Sequence, residues 1–511
     1  MKKINIITTI IAIFALLQFS SCTDFLDVKP NNSIQEEDFV VRTRSDAKVM
    51  MDGIMRNVVS GSYYGRNMFL YADARGSDLT VASQGRGYDY LYSFNHTAAS
   101  NNGSGYWSQI YYCLLQVNTL LQGMEKTEGE GGIYEDFSQY KGQALTLRAL
   151  MYFDLVRIYG KPYTYSDAPN SYGVPIVTKP IDRYQEVTRA TVSQVYAQIQ
   201  ADLTAAATLL NTTSGKAKSN GYINYYGNRV LQARVYLYMG KYDDALTVAE
   251  EIINSNAYTL YTNANWITSW STQFNTESIF ELGVFSNEAD LGTSSLGALT
   301  IRRGNVSSSI AGYFIASDYF LERFNKGYDG VSASTRDVRW DIMYYDETST
   351  TRMGSCRKHT GGNNTSGDGK GSYSLVNIKV MRLSEVYLIA AESALLKSAP
   401  DRAKAANYLQ AIRKRGQGLA PATAETVDLD MILDERSIEL FMEGHRFFDL
   451  VRHKKTIEFN DDRIDVGHVS ANNRTKVINE NGSFFYKCIL PIPKAETDAN
   501  PAIAAQQNPG Y

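Results

Sequence analysis

The chain has 511 residues, of which 44% are hydrophobic and 21% charged, with a formal charge of −3. That length suits one large domain or two fused ones, and the balanced charge excludes the clustered basic excess that nucleic-acid binding depends on. Aromatic residues make up 12%, and 36 of them are tyrosines, whose flat apolar face and hydrogen-bonding edge suit both binding surfaces and helix packing.

Lys2 and Lys3 precede an apolar stretch from Ile4 to Leu17, and Phe19-Ser20-Ser21-Cys22 follows. A charged start, a short apolar run and small residues before a cleavage point describe an export signal over residues 1–21. The run is too short to span a bilayer, which takes roughly 20 apolar residues. Two small residues before a cysteine suit cleavage just ahead of the thiol, so Cys22 is the expected lipidation site. Phe19 departs from the leucine common three residues before such a cysteine. Each acyl methylene entering the bilayer contributes about 0.8 kcal/mol, so several chains on Cys22 would hold a soluble domain firmly. Losing Lys2 and Lys3 with the signal takes the formal charge to −5.

Further along, residues 33–60 begin polar and become helical, with Met50, Met51, Ile54 and Val58 towards one side. Residues 60–105 break this pattern; they are rich in Gly, Ser, Asn and Tyr and carry the alternating run Tyr88, Tyr90, Tyr92, Phe94. Helical character returns from Trp107 to about Met124. A further helix over Tyr140 to Tyr159 is apolar on nearly every side, which marks it as buried, and Gly160 and Pro162 end it. Residues 228–253 read as a helix pair. Its small and aromatic residues at Ala233, Tyr236, Gly240, Tyr242 and Ala245 follow tetratricopeptide spacing. A second pair is expected over Leu383 to Arg413, where Val386-Tyr387-Leu388 echoes Val235-Tyr236-Leu237. The stretch 254–371 is loop-rich, with a strand-like fragment from Ser278 to Phe285 and a polar surface loop over 348–374. Helices are expected over 377–397 and near 429–453, followed by a C-terminal segment with turns at Pro491 and Pro493.

Three carboxylates, Glu435, Glu439 and Glu443, stand four apart and would share one helix face. Glycosidase carboxylates must face each other across a substrate, so these acids are expected to brace the helix by pairing with Arg436, Arg446 and Arg452. The histidines, at 96, 359, 445, 453 and 468, include no pair four apart and no H-E-x-x-H. No G-x-S-x-G elbow is present. Cys113, Cys356 and Cys488 fit neither a disulfide framework nor a zinc pattern and read as buried thiols. No cofactor is expected, and nothing selects a site for a hard cation such as calcium.

Five blocks in order carry a resemblance. They are Ser21-Cys22-Thr-Asp-Phe-Leu-Asp27-Val-Lys-Pro30, then Leu147-Arg-Ala-Leu-Met-Tyr-Phe-Asp154-Leu-Val-Arg157 with Gly160 and Pro162, then Arg382-Leu-Ser-Glu385 to Glu392. The fourth runs from Asp434 through Glu443-Gly444-His445-Arg446 to Arg452. The last joins Leu490-Pro491-Ile-Pro493 to the terminal Asn508-Pro509-Gly510-Tyr511. Together they resemble the SusD/RagB family of outer-membrane nutrient-binding lipoproteins. The resemblance implies a mainly α fold: a tetratricopeptide-type helical scaffold with a loop-rich, irregular ligand-binding part. It divides the mature chain into an N-terminal helical region, 22–253, and a C-terminal region, 254–511, with a loop-rich insert over 254–375. It also implies a lipid anchor in the outer membrane, surface exposure, and a SusC-like TonB-dependent β-barrel transporter as partner.

On this reading the protein is not an enzyme. It captures an oligosaccharide or polysaccharide for the transporter, the alternatives being peptide capture on the same scaffold or a surface adhesin. A sugar ring stacks its C–H face on an aromatic, and its hydroxyls need partners, because each polar group left unpaired costs roughly 1–3 kcal/mol. Such groups belong on loops held by a rigid scaffold. One candidate segment is 73–106, with Asp73, Arg75, Asp78, Gln84, Arg86, Tyr88, Tyr90, Tyr92 and Asn95. The other is 263–313, with Trp266, Trp270, Asn287 and Arg302. Trp107, on a helix, reads as core.

Overall fold

The computed structural model describes residues 40–81, 92, 94, 96–131, 135–181, 185–211, 220–270, 272–285, 287, 291–302, 312–325, 336–346, 352–360, 372, 374–459, 475–476, 481–482 and 485–511. Helices dominate, and no strand among the described residues exceeds five residues.

The first half is a succession of helices: α1 (Arg44–Val58), α2 (Asn67–Arg75), then strand β1 (Leu79–Val81), α3 (Asn101–Gly129), α4 (Ser138–Tyr159), α5 (Val192–Asn211), α6 (Tyr225–Tyr238) and α7 (Tyr242–Asn254). Thr43 and Asp46 cap α1 reciprocally, each side chain accepting from the other's backbone N–H, so two otherwise orphaned donors are satisfied. As its all-round apolar character predicts, α4 is buried almost throughout and packs between α3 and α5. Arg148 of α4 pairs with Asp202 of α5 at 2.7 Å. The expected pair α6–α7 is joined through Gly240, whose φ of +71° is left-handed backbone that glycine adopts without steric cost.

The second half begins irregularly, with α8 (Trp266–Trp270), β2 (Ser278–Leu282), α9 (Leu296–Thr300), β3 (Phe314–Ala316), α10 (Asp318–Asn325), β4 (Met343–Tyr344), β5 (Ser355–Cys356) and β6 (Ile378–Arg382). Regular helices return as α11 (Leu383–Leu396), α12 (Arg402–Arg413), α13 (Leu429–Glu439) and α14 (Arg446–Arg452). The short strands β7 (Ile457–Glu458) and β8 (Thr475–Lys476) and the helices α15 (Lys494–Ala499) and α16 (Pro501–Ala504) complete the described elements. The strands form two-stranded antiparallel pairs, β1 with β3, β2 with β6, β4 with β5 and β7 with β8. The expected second helix pair, α11–α12, packs on α7. Buried Ala390, Ala391, Ala394, Ala405 and Ala406 leave room for that close approach, and Arg234 of α6 reaches Glu385 of α11 at 2.6 Å.

Three expectations need correction. Residues 67–75, placed in a non-helical stretch, form α2. Every one of its side chains is buried, so it shows no polar face to signal a helix. Residues 378–382, read as the start of a helix, are a strand because they pair with β2. The helix expected near 429–453 is two helices: Met442 (φ 65°) and Gly444 (φ 80°) turn the chain between them. A Cβ on Gly444 would lie 2.9 Å from the Phe69 side chain.

Candidate functional site

Helix α8 sets Trp266 and Trp270 on one face, ring centroids 5.5 Å apart, and that face turns inward: they are 1% and 4% exposed. The Lys358 ammonium lies 4.6 Å and the Arg382 guanidinium 4.9 Å from the Trp270 ring centroid, and Arg415 lies 4.7 Å from that of Trp266. These cations belong to a buried lattice of ion pairs. Arg382 donates to Glu443 at 2.7 and 2.8 Å and to Glu439 at 3.2 Å, and it also pairs with Glu277. Arg415 reaches Glu277 and Glu439, both at 3.1 Å. Arg339 meets Asp337 and Glu435, both at 2.6 Å. Lys358 donates to the carbonyls of Glu439 and Phe441 at 2.8 Å.

Glu435, Glu439 and Glu443 therefore brace the fold, but through Arg339, Arg382, Arg415 and Lys358 rather than the arginines nearest in sequence. Arg436 and Arg452 instead pair with Asp449, each at 2.8 Å, and Arg446 donates to the Leu433 carbonyl at 3.2 Å. Burial pushes the Glu443 carboxyl up, yet Arg382 and Lys358 outweigh it and hold the group at about 2. Burial likewise opposes ionisation of Glu439, and Arg415, Arg382 and Arg339 reverse the balance. Carboxylates so committed to fixed cations are poor proton donors at neutral pH.

Of the first candidate segment, Asp73, Arg75, Asp78 and Tyr92 are described, and all are interior. The Arg75 guanidinium lies 4.0 Å from the Phe94 ring centroid and 4.8 Å from that of Phe447, and donates to the Lys487 carbonyl at 2.5 Å. Asp78 pairs with Arg323 and accepts from Ser437 at 2.6 Å. Tyr92 donates to Thr80 at 3.1 Å and meets Phe459 edge-on. The expectation that Arg75, Asp78, Tyr92, Trp266 and Trp270 meet a ligand is corrected accordingly. Internal partners take their polar ends or cover their rings, and none has a face open to solvent. Asn287 is exposed and Arg302 half-buried. Phe285, two residues before Asn287, is also exposed. Tyr88, Tyr90, Asn95, Gln84, Arg86 and Cys22 lie outside the described residues.

A groove of about 530 Å³ opens where the end of α7, the start of α11 and the end of α12 meet, within the range usual for small-molecule sites. Asn256, Tyr258, Thr259, Asn263, Tyr387 and Lys414 are among its lining residues. Sequence reading missed it, since its residues come from separated segments. Trp107 is buried, as expected, and donates to Glu496 at 3.2 Å. Cys113, Cys356 and Cys488 are buried free thiols, and burial pushes them up to about 12, 11 and 12. Among the described residues no helix is long and apolar enough to cross a membrane.

Comparison with known proteins decides what this scaffold is. A family model described as SusD family matches residues 339–511, and one described as starch-binding, associating with outer membrane, matches residues 24–237. The structure of a SusD superfamily protein from Bacteroides thetaiotaomicron is 31% identical, covers 91% of this chain and 100% of its own, and superposes with a TM-score of 0.79. The chain belongs to the SusD family. Among other members, SusD-like protein P38 of Formosa agariphila is 24% identical over 90% of this chain and 93% of its own. A laminarin-binding SusD-like protein shares the fold at 24% identity and a TM-score of 0.65, covering 92% of this chain and 100% of its own. SusD membership accounts for the mainly helical architecture.

Proposed function

We propose that the protein is a lipoprotein, acylated at Cys22 and displayed on the outer membrane, which captures an oligosaccharide or polysaccharide and passes it to a SusC-like TonB-dependent transporter. The observation that carries this reading is membership of a family with a model described as starch-binding and associating with outer membrane; a structural neighbour that binds laminarin supports it. Capture makes and breaks no bond, in keeping with acidic residues that serve as structural counter-ions. Tyr88, Tyr90, Asn95 and Asn287 are the proposed contacts.

The test is affinity electrophoresis of the chain without residues 1–22 through gels carrying single polysaccharides, with peptides assayed alongside. Retardation by at least one glycan, with no new reducing ends, is the expected result. Binding of peptides alone would refute the substrate class, and release of reducing ends would refute capture without cleavage. A Cys22→Ala variant is expected to leave the membrane fraction.

A further inference from the structure

We infer that the groove at the junction of α7, α11 and α12 is a sugar site, taking the rings of an acidic oligosaccharide against Tyr258 and Tyr387 with Lys414 at its edge. The inference rests on the glycan-capture reading and adds a site and a charge preference to it.

Two aromatic strings reach the groove. Tyr225 leads to Tyr226 at 5.2 Å, and Tyr226 meets Tyr258 edge-on at 5.8 Å and 89°. From the other direction Tyr408 meets Tyr387 at 6.0 Å and 75°. Tyr258 is further fixed by Asn224, whose amide donates to its hydroxyl at 3.0 Å. Both lining rings are half-buried, so each is held in place before a ligand arrives while part of it stays open. Such preorganisation reduces the ordering cost of binding. Exposed Asn256 and Thr259 and half-buried Asn263 add amide and hydroxyl groups of the kind that sugar hydroxyls need.

The backbone argues for a sugar over an extended peptide. Strand addition requires a run of free main-chain groups, yet this wall has committed several of them. The N–H groups of Thr259, Tyr261 and Thr262 donate to Thr276, Glu277 and Asn265, and the Tyr261 and Thr262 carbonyls accept from Arg415 and Asn265. Side chains are left to do most of the recognition. Among the described residues the lining holds no carboxylate. Arg415, at its base, is spent on Glu277 and the Tyr261 carbonyl. Lys414 is exposed and its ammonium makes no ion pair or hydrogen bond among the described residues, which favours a sugar carrying a carboxylate.

Calorimetric titration of the mature chain with tetragalacturonate, and with uncharged laminaritetraose for comparison, tests this. Tyr258→Ala and Tyr387→Ala are expected to weaken the acidic tetramer about tenfold, equivalent to about 1.4 kcal/mol, while Tyr387→Phe leaves it unchanged. Lys414→Glu, an exposed substitution that spares the fold, should weaken the acidic tetramer and leave the neutral one alone. Unaltered glycan binding in both alanine variants would overturn the groove as a sugar site and leave the capture reading standing. A parent protein that prefers the neutral tetramer would overturn the charge preference. Displacement of the tetramer by an extended peptide would overturn the ligand class. A parent that binds no glycan in any assay would bring down the capture reading itself.

Discussion

The guanidinium of Arg382 lies 4.9 Å from the ring centroid of Trp270 while Glu277, Glu439 and Glu443 surround the same cation. An indole that would make a good sugar platform on the surface is thus packed over a buried charge. The arrangement ties β6, α8 and the turn after α13 into one unit, and it bears directly on what mutations there will do.

Arg382→Met should be strongly destabilising. Removing one partner strands several buried carboxylates, a loss of about 3–5 kcal/mol. Urea unfolding midpoints measure it. The double variant Arg382→Met/Glu443→Gln should lose less than the two single losses combined, because the two side chains share one interaction.

Acid should unfold the protein in two overlapping stages. Burial first, and Lys358 second, hold His359 at about 4 against an ordinary 6.5. The unfolded chain therefore takes up the proton first, and stability present above pH 6.5 is lost as pH falls towards 4. Glu443, at about 2 against an ordinary 4.5, adds stability present above pH 4.5 that is lost as pH falls towards 2. Each contributes on the order of 3 kcal/mol. Thermal melts from pH 8 to 3 should show the decline, and His359→Gln should flatten its upper part.

Asp73→Asn should stabilise. Burial and the neighbouring Asp78 raise the Asp73 carboxyl well above its ordinary value, so the folded state resists its ionisation at neutral pH. Asparagine can still accept from the Gly444 N–H, now 3.0 Å from the carboxylate. A gain of about 1–2 kcal/mol at pH 7, absent below pH 3, would appear as a higher melting temperature.

Trp266→Ala and Trp270→Ala should each cost about 3–5 kcal/mol through the cavity left behind. Asn287→Ala, on an exposed residue, should stay within about 0.5 kcal/mol. Any binding lost by the tryptophan variants should follow their unfolded fraction, and calorimetry below the melting point separates the two effects.

For α4 and for the two helix pairs, the reading of residues and the structure agree. The all-round apolar run of α4 marked a buried helix, and the small residues of α6–α7 and α11–α12 marked two close-packed pairs. The break between α13 and α14 left a weaker trace, because Gly444 alone hints at it while Met442 adopts positive φ without a glycine. Strand β6 was hidden because its partner, β2, lies about a hundred residues earlier in the chain.

The amino-acid order by itself determined the helical class, the paired-helix scaffold and the family blocks, because these rest on short-range spacing and local backbone preference. Which aromatic or charged side chain stays in water was decided only by tertiary packing. Trp266 and Tyr387 are both aromatic residues on helices, yet one is sealed over Arg415 and the other lines an open groove. That difference comes from segments distant in sequence converging on each residue, since solvent access belongs to the assembled surface and not to any stretch of chain.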